Sequence, residues 1–267
     1  MRLRAYGLTD KGRIRPTNED CFAIREDLGL CVIADGLGGH NAGEIAARLA
    51  VDAVVDYVDE HHERCGDGGL TGRGGHQSDL WPFGFDPSFS ADGNLLRTAV
   101  HAADLQIRET AIASKDCAGM GTTIVAVRVA SGRLSVAHAG DSRLYLLAGG
   151  TLRQVTQDDS WIAAMLADDP DADPDMLALH PMRNTLTNVV GAQSRTEVHV
   201  VEHMLAGGEL LLLSTDGVHG VLDGRRIEEM VREEEEPRAI AHAIVSSALT
   251  RGSRDNCTAV VARCVKM

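Results

Sequence analysis

The sequence predicts a mixed α/β fold in which antiparallel β-sheets are faced by helices. Short apolar segments of strand length follow one another between residues 122 and 155, and amphipathic helical segments occur in pairs elsewhere. Gly-containing turns at 130–132 and 148–150 join successive strands as hairpins, so residues 122–155 are predicted to form an antiparallel meander. Because hairpins pair antiparallel strands, the pattern argues against an all-parallel doubly wound sheet.

The helices are predicted from apolar residues that recur with a helical period. In residues 42–59, Ala46, Leu49, Ala50 and Val54 fall on one face, and acidic residues fall on the other. Further helices are predicted at 95–114, 160–167, 225–234 and 237–249. Strands are predicted at 2–8, 21–25, 30–34, 122–129, 133–138, 143–147, 151–155, 197–202, 209–214 and 257–265.

Three stretches lack a regular pattern. Residues 9–20 form a polar loop, and residues 61–93 form a Gly-rich surface excursion that carries Trp81, Phe83 and Phe85. Aromatic residues in a loop generally anchor it to the core, although they also suit a docking surface. Residues 156–190 are rich in Asp and are predicted to be a mobile surface subdomain, a flap. No Pro/Ser-rich linker divides the chain, so residues 1–267 are predicted to form a single domain.

Composition and charge exclude several classes of function. The 267 residues are 44% hydrophobic, which suits a globular domain with a large core. The net charge of −13 repels nucleic acids and anionic membranes, so neither is expected as a partner. The six cysteines form no CxxC pair, and the N-terminus lacks a signal-peptide core. We therefore expect a cytoplasmic protein without membrane insertion.

One pattern recurs at the ends of three apolar segments. Residues 30–34 lead into Asp35-Gly36, residues 136–140 lead into Asp141-Ser142, and residues 210–215 lead into Asp216-Gly217. Asp20 and Asp255 stand directly before other strands. Each Asp-Gly alone is most simply a turn, but three such strand ends together predict a pocket crowded with carboxylates.

Crowded carboxylates require a counter-charge, which hard divalent cations supply. Mg²⁺ and Mn²⁺ take oxygen ligands, and Gly36 allows its carbonyl to approach an ion because it has no Cβ. Two ions ~3.5–4 Å apart would activate a water for attack on phosphorus. Arg15 could hold phosphate oxygens through its guanidinium, or could be an ordinary surface arginine. His40 alone could simply be a residue at the start of a helix.

The sequence resembles the metal-dependent protein Ser/Thr phosphatases (the PPM family, type 2C) in their bacterial form. The resemblance rests on motifs in the family's order across nearly the whole chain. They are Arg15-Pro16-Thr17-Asn18-Glu19-Asp20, Asp35-Gly36-Leu37-Gly38-Gly39-His40 with Ala42-Gly43-Glu44, Gly121-Thr122-Thr123, Ala139-Gly140-Asp141-Ser142-Arg143, Leu186-Thr187-Asn188-Val189-Val190-Gly191, Ser214-Thr215-Asp216-Gly217 and Arg254-Asp255-Asn256.

The resemblance implies a four-layer αββα sandwich, with two antiparallel sheets flanked by helix pairs, and a site for two Mn²⁺ or Mg²⁺ ions. It implies hydrolysis of phosphoserine and phosphothreonine in proteins by a metal-bridging hydroxide. If these residues act as their counterparts in the family do, Asp35 contacts both ions together with the Gly36 carbonyl, and Asp216 and Asp255 complete the ligands of one ion. Asp20 and Glu19 then act through water, and Asp141 with Asp216 holds a third, weaker ion. Arg15 binds phosphate, and His40 is the general acid.

The resemblance also implies partners. These are phosphorylated proteins, namely a Ser/Thr kinase and its substrates, acted on by a monomer. The aromatic segment 81–85 is similar to that of phosphatases encoded with type VI secretion systems. The family often has His within 156–160 and Arg where this chain has Asn188, which leaves substrate preference open. Two alternatives remain: a catalytically inactive regulatory module, and a phosphoesterase acting on a small molecule.

Overall fold

The computed structural model describes residues 1–38, 42–65, 80–169, 171–173, 176–177, 179–192 and 195–266. Within these residues, the strands form two antiparallel sheets. The first sheet has the order β1 (Arg2–Asp10), β11 (Cys257–Val265), β10 (Leu210–Ser214), β7 (Arg143–Ala148), β8 (Thr151–Gln154). The second has the order β2 (Asp20–Arg25), β3 (Leu30–Leu37), β5 (Ile124–Ala130), β6 (Arg133–Ala139), β9 (His199–Met204), and β4 (Gly121–Thr122) pairs with β3.

Helices cover the outer face of each sheet. The second sheet is covered by α1 (Ala42–His61) and α2 (Ala91–Ala113), and the first by α5 (Gly224–Glu233) and α6 (Pro237–Thr250). Two shorter helices are α3 (Trp161–Asp168) and α4 (Asp216–His219). These four layers confirm the predicted αββα sandwich. Among the helices of the described ranges, none is long and apolar enough to cross a membrane.

Side-chain alternation along the central strands explains the layers. In β10, Leu210 and Leu212 pack under α5 and α6, whereas Leu211 and Leu213 point between the sheets. In β3, Val32 packs under α1 and Ile33 points between the sheets. Since successive residues of a strand face opposite sides, a strand covered on both faces is continuously apolar. This is why these segments carry no polar residue until they reach the site.

Three details of the predicted strands were wrong. The hairpins between 122 and 155 do not form one meander, because β5–β6 belong to the second sheet and β7–β8 to the first. The chain crosses between the sheets at residues 140–142. β3 continues to Leu37 because Gly36 and Leu37 pair with β4, so Asp35 lies inside the strand rather than after it. Asp216 opens the short helix α4, which the sequence pattern did not indicate.

The described parts of 61–93 and 156–190 contact the rest of the chain. Trp81 is buried in the core between α1 and α2 and contacts Phe85, so the aromatic residues anchor the excursion as expected. Within 156–190, the hydroxyl of Ser160 caps the N-terminus of α3, and Ser160 pairs with Leu186 in an isolated bridge. None of the residues of α3 is buried. Helix α3 therefore stands on the surface, and Asp159 just before it contacts the crossing at residues 140–142.

Candidate active site

Five aspartates converge at the edge where the two sheets meet. Asp20, the first residue of β2, is the register partner of Asp35 in β3. Asp141 lies in the crossing after β6, Asp216 follows β10, and Asp255 precedes β11. The charges of Asp20, Asp141, Asp216 and Asp255 all act on Asp35 and raise its pKa, so Asp35 lies near each of them. The predicted pocket of carboxylates is therefore present.

Asp35 and Asp216 form the centre of this group. Burial, together with the charges of the four other aspartates, raises the pKa of Asp35 well above its ordinary value. The side chains of Asp35 and Asp216 share a hydrogen bond. Burial and the charge of Asp255 raise the pKa of Asp216 to about 6, although this hydrogen bond opposes the shift. The Asp35 backbone is fixed by Thr123, whose hydroxyl accepts the Asp35 N–H at 3.0 Å.

Asp20 is held by two hydroxyl groups from the neighbouring sheet. Its Oδ2 accepts hydrogen bonds from Thr215 Oγ1 at 2.9 Å and from Thr258 Oγ1 at 2.6 Å. Burial raises the pKa of Asp20 to about 7, against the opposing effect of both hydroxyls. Its other oxygen, Oδ1, is buried and has no hydrogen-bond partner within the described structure. Asp20 thus presents one anchored and one available oxygen.

Asp141 lies on the opposite side of the group, toward the flap. Burial, followed by the charges of Asp216 and Asp158, raises the pKa of Asp141 to about 7. The neighbouring Arg143 does not compensate Asp141 fully, because its guanidinium binds Asp158 with contacts of 2.6–3.1 Å. Asp141 therefore lies within the electrostatic influence of both Asp216 and Asp158.

The backbone at Gly36 is enclosed by the N-terminus of α1. A Cβ at Gly36 would overlap the carbonyl oxygen of Gly43, so no other residue fits there. The Gly36 N–H donates to the carbonyl of Glu19 at 3.1 Å. A Cβ on Gly43 would lie 2.9 Å from Oε1 of Glu19. Burial raises the pKa of Glu19, although Arg15 opposes this.

Arg15 reaches the group from the loop between β1 and β2. Asn256, itself buried, secures this loop: its amide donates to the carbonyls of Lys11 at 2.8 Å and Thr17 at 2.9 Å. Its Oδ1 accepts the Glu19 N–H at 2.8 Å. Arg15 Nη2 then lies 2.6 Å from Oδ2 of Asp255, and 46% of its side chain is exposed. Arg15, the residue predicted to bind phosphate, is thus paired with Asp255, a residue predicted to bind metal.

His40 lies outside the described residues, so its role as general acid stays a prediction. The other predicted side chains, Asp20, Asp35, Asp141, Asp216, Asp255, Glu19 and Arg15, all belong to the group above.

Sequence reasoning missed a second polar network at the base of the flap. Asp159 Oδ2 accepts hydrogen bonds from Asn188 Nδ2 at 2.7 Å and from the Gly140 N–H at 2.9 Å. Its Oδ1 lies 3.0 Å from His199 Nε2. Asn188 and the stretch 156–160, which contains Asp159, were named above as places where this chain departs from the family pattern.

The chemistry of the group suits a hard cation. All candidate ligands are oxygens, and Oδ1 of both Asp20 and Asp216 is buried without a hydrogen-bond partner in the described structure. An unpaired buried carboxylate oxygen is costly, so a cation is the expected partner. Within the described ranges, no three acidic, His or Cys side chains already lie at ligand spacing. Instead, Asp35 is hydrogen-bonded to Asp216, and Asp255 is paired with Arg15.

The chain matches the model of one known family and resembles several solved structures. The model of protein phosphatase 2C matches residues 16–255. The serine/threonine phosphatase stp of Listeria welshimeri is 30% identical over 262 residues, which cover 97% of this chain and 95% of the relative. Among solved structures, the Mycobacterium tuberculosis serine/threonine phosphatase PstP/Ppp is 30% identical, with a TM-score of 0.81 over 100% of both chains.

Two further solved structures bear on the site and on its setting. A PstP catalytic domain in complex with two manganese ions is 30% identical, with a TM-score of 0.76 over 99% of both chains. PppA, described as a key regulatory component of the type VI secretion system in Pseudomonas aeruginosa, is 27% identical. Its TM-score is 0.76 over 99% of this chain and 98% of PppA.

Proposed function

The chain belongs to the protein phosphatase 2C family and is a protein-serine/threonine phosphatase, and we propose that it hydrolyses phosphoserine and phosphothreonine in proteins with the help of bound Mn²⁺ or Mg²⁺. One observation carries this proposal: five aspartates meet beside Arg15, and two of their buried oxygens have no partner in the described structure. Two manganese ions in the similar PstP domain support the same metal here.

Specific residues would hold the ions. Asp35 and the Gly36 carbonyl would contact two ions, Asp216 and Asp255 would complete one of them, and Asp20 and Glu19 would act through water. Asp141 with Asp216 would hold a third, weaker ion. When bound, such ions supply an activated water nucleophile and neutralise charge on phosphoryl oxygens.

Arg15 and His40 would act on the substrate itself. The planar guanidinium of Arg15 suits two phosphate oxygens at once, and it must leave Asp255 to bind them. The leaving serine or threonine alkoxide is strongly basic, so a proton from His40 would assist its departure. The guanidinium charge of Arg15 would stabilise the negative charge that develops on the phosphoryl oxygens.

The biological setting is the reversal of a bacterial Ser/Thr kinase. The substrates would be phosphorylated proteins, including the kinase and its targets, and the enzyme would act in the cytoplasm as a monomer with one domain over residues 1–267. The residues of the flap, 156–190, would govern substrate choice. The likeness to PppA supports a role in type VI secretion control.

Two other functions predict different behaviour. An inactive regulatory module would bind phosphoprotein without turnover, but the complete aspartate set disfavours it. A small-molecule phosphoesterase would hydrolyse low-molecular-weight esters far faster than phosphopeptides.

A phosphothreonine peptide assay separates these functions. We expect turnover that requires added Mn²⁺, stops with chelator and ignores an okadaic-acid-type inhibitor. Absence of metal-dependent turnover on any ester supports the inactive module. Preference for small esters by orders of magnitude supports the third function.

A further inference from the structure

A pocket separate from the carboxylate group lies between α2 and the segment after the flap. It has a volume of about 470 Å³ and is lined by Arg97, His101, Arg195, Thr196, Glu197 and Val198. An adjoining recess of about 280 Å³ shares four of these residues and adds Phe83, Asp104 and Arg108. The ring of Phe83 contacts that of His101, with 5.3 Å between ring centroids. Neither cavity contains a residue of the predicted metal site.

The lining of the pocket and its recess has more arginines than carboxylates, although the chain carries a net charge of −13. Burial lowers the pKa of His101, and the charges of Arg97, Arg195 and Arg108 lower it further. One carboxylate, Asp104, opposes them. Three cationic side chains therefore act on a single imidazole against one acid.

Asp104 is engaged elsewhere and does not neutralise the pocket. Its Oδ2 pairs with Arg108 at 2.9 Å. Its Oδ1 accepts hydrogen bonds from the Gly191 N–H at 2.8 Å and from Thr196 Oγ1 at 2.7 Å. Asp104 thus balances Arg108 and leaves the charges of the other two arginines uncompensated. A carboxylate with these bonds cannot turn toward Arg97 without losing them.

Arg97 is oriented by neutral acceptors only. Its guanidinium donates to the carbonyls of Gly84 at 3.3 Å and Phe83 at 3.4 Å, and to Oδ1 of Asn94 at 3.5 Å. These bonds fix the direction of the guanidinium and leave its charge unbalanced. Arg195 is exposed, and its guanidinium has no ion pair among the residues that the structure describes.

We propose that this pocket is a second phosphate-binding site, in which Arg97 and Arg195 bind the phosphate oxygens and His101 donates a further hydrogen bond. Guanidinium groups match phosphate geometry through paired donors. The cavity is larger than a bare phosphate, so it accepts either free inorganic phosphate or a phosphorylated side chain with its flanking atoms. Glu197 also lines the main cavity, and within the described structure it forms no ion pair with either arginine.

The test is calorimetric titration of inorganic phosphate into the full-length protein in chelator. Chelator removes any cation from the carboxylate group, so phosphate cannot bind there through metal. The Arg15→Ala variant removes the other arginine proposed to bind phosphate. We expect wild type and Arg15→Ala to bind with equal affinity, and Arg195→Ala to bind at least about tenfold more weakly.

Arg225→Ala is the matched control. This arginine on α5 is 89% exposed and forms only a 3.7 Å contact with Glu229, so its loss removes the same charge without touching the pocket. Thermal unfolding of each variant verifies the fold. Wild type without measurable binding, or equal weakening by Arg225→Ala, would overturn the proposal. Unchanged affinity in Arg195→Ala would do the same.

Two peptide arms identify the source of the phosphate. A peptide with a non-hydrolysable phosphonate that binds tighter than inorganic phosphate, and loses affinity in Arg195→Ala, assigns the pocket to a phosphorylated protein segment. Equal binding assigns it to free phosphate, and both results support the site. Equal binding of the unphosphorylated peptide contradicts phosphate recognition. Because no metal is present, this outcome is independent of whether the protein shows phosphatase activity.

Discussion

Arg15 Nη2 lies 2.6 Å from Oδ2 of Asp255, so the residue proposed to bind phosphate is paired with a residue proposed to bind metal. Both side chains are partly exposed, at 46% and 30%. An ion pair at this exposure contributes only ~0–1 kcal/mol, which a bound cation or phosphate readily replaces. The ion pair between Arg15 and Asp255 therefore contributes little to the stability of the fold, and either residue can exchange it for a ligand.

Arg15→Ala should have opposite effects on the two ligands. Loss of the guanidinium should raise KM for a phosphothreonine peptide about tenfold, because phosphate loses a bidentate partner. The freed Asp255 should bind Mn²⁺ more tightly, since a nearby positive charge is gone. The measurements are KM and the Mn²⁺ concentration for half-maximal activity, with Arg225→Ala as the charge-matched control. An unchanged KM and kcat would remove Arg15 from the site.

Asp35→Asn and Asp216→Asn should each abolish activity while stabilising the metal-free protein. Each change removes a carboxylate that burial and neighbouring acids disfavour. Manganese-dependent turnover should fall at least ~100-fold, and the thermal midpoint in chelator should rise by a few degrees. Asp171→Asn, an exposed flap residue, is the control. Substantial turnover in either variant would refute the metal assignment.

The sequence predicted the layers and most elements because apolar periodicity reports burial directly. β11 was predicted with the same bounds that the structure shows, since Cys257–Val265 is buried over most of its length. The pattern could not show that β6 and β7 belong to different sheets, because short turns join strands equally well within and between sheets. Nor could it indicate helix α4, since four residues are too few to display a helical period.

The site was predicted from motif order, and its supporting residues were not. The aspartates could be singled out because each follows or precedes an apolar strand. Thr258, which donates to Asp20, alternates with apolar residues in β11 like any strand residue. Its role depends on the register between β11 and its neighbours, which is a property of tertiary packing. The ion pair of Arg15 with Asp255 joins residues 240 positions apart and has no local signal.

The raised pKa values predict how the stability of the metal-free protein depends on pH. Burial raises the pKa of Asp20 and Asp141 to about 7 and that of Asp216 to about 6. An acid with a higher pKa in the folded chain binds more protons when folded. Its stabilising effect is complete below the unfolded pKa of ~4 and is lost as pH rises through about 6–7.

The thermal midpoint in chelator should therefore fall by ~5 °C or more between about pH 5 and about pH 8. Saturating Mn²⁺ at the higher pH should restore it, because a ligand of the folded state stabilises that state. Asp141→Asn should reduce the pH dependence of the metal-free protein. A thermal midpoint in chelator that rises steadily from about pH 5 to about pH 8 would contradict the raised pKa values of these aspartates.

The contact between Asp159 and His199 predicts a positioning role at the base of the flap. Asp159 Oδ1 accepts from His199 at 3.0 Å, while its backbone carbonyl accepts the Thr187 N–H at 2.9 Å and its N–H donates to the carbonyl of Gly140 at 3.0 Å. Asp159 therefore joins both ends of the flap to the crossing at residues 140–142, which contains Asp141. The hydrogen bond from His199, with those from Gly140 and Asn188, overcomes burial and lowers the pKa of Asp159.

Asp159→Ala should destabilise the protein by ~3 kcal/mol, because partly buried donors lose an ionised acceptor. Since the flap lies beside the carboxylates rather than among them, KM for a phosphopeptide should rise about tenfold, with kcat on a small aryl phosphate within about threefold of wild type. Asp171→Ala removes the same charge from an exposed flap position and should leave both parameters unchanged. Equal losses on both substrates would mean that Asp159 supports the metal site rather than the flap. Faster amide hydrogen exchange at residues 185–188 in Asp159→Ala would locate the loosened contact at the flap base.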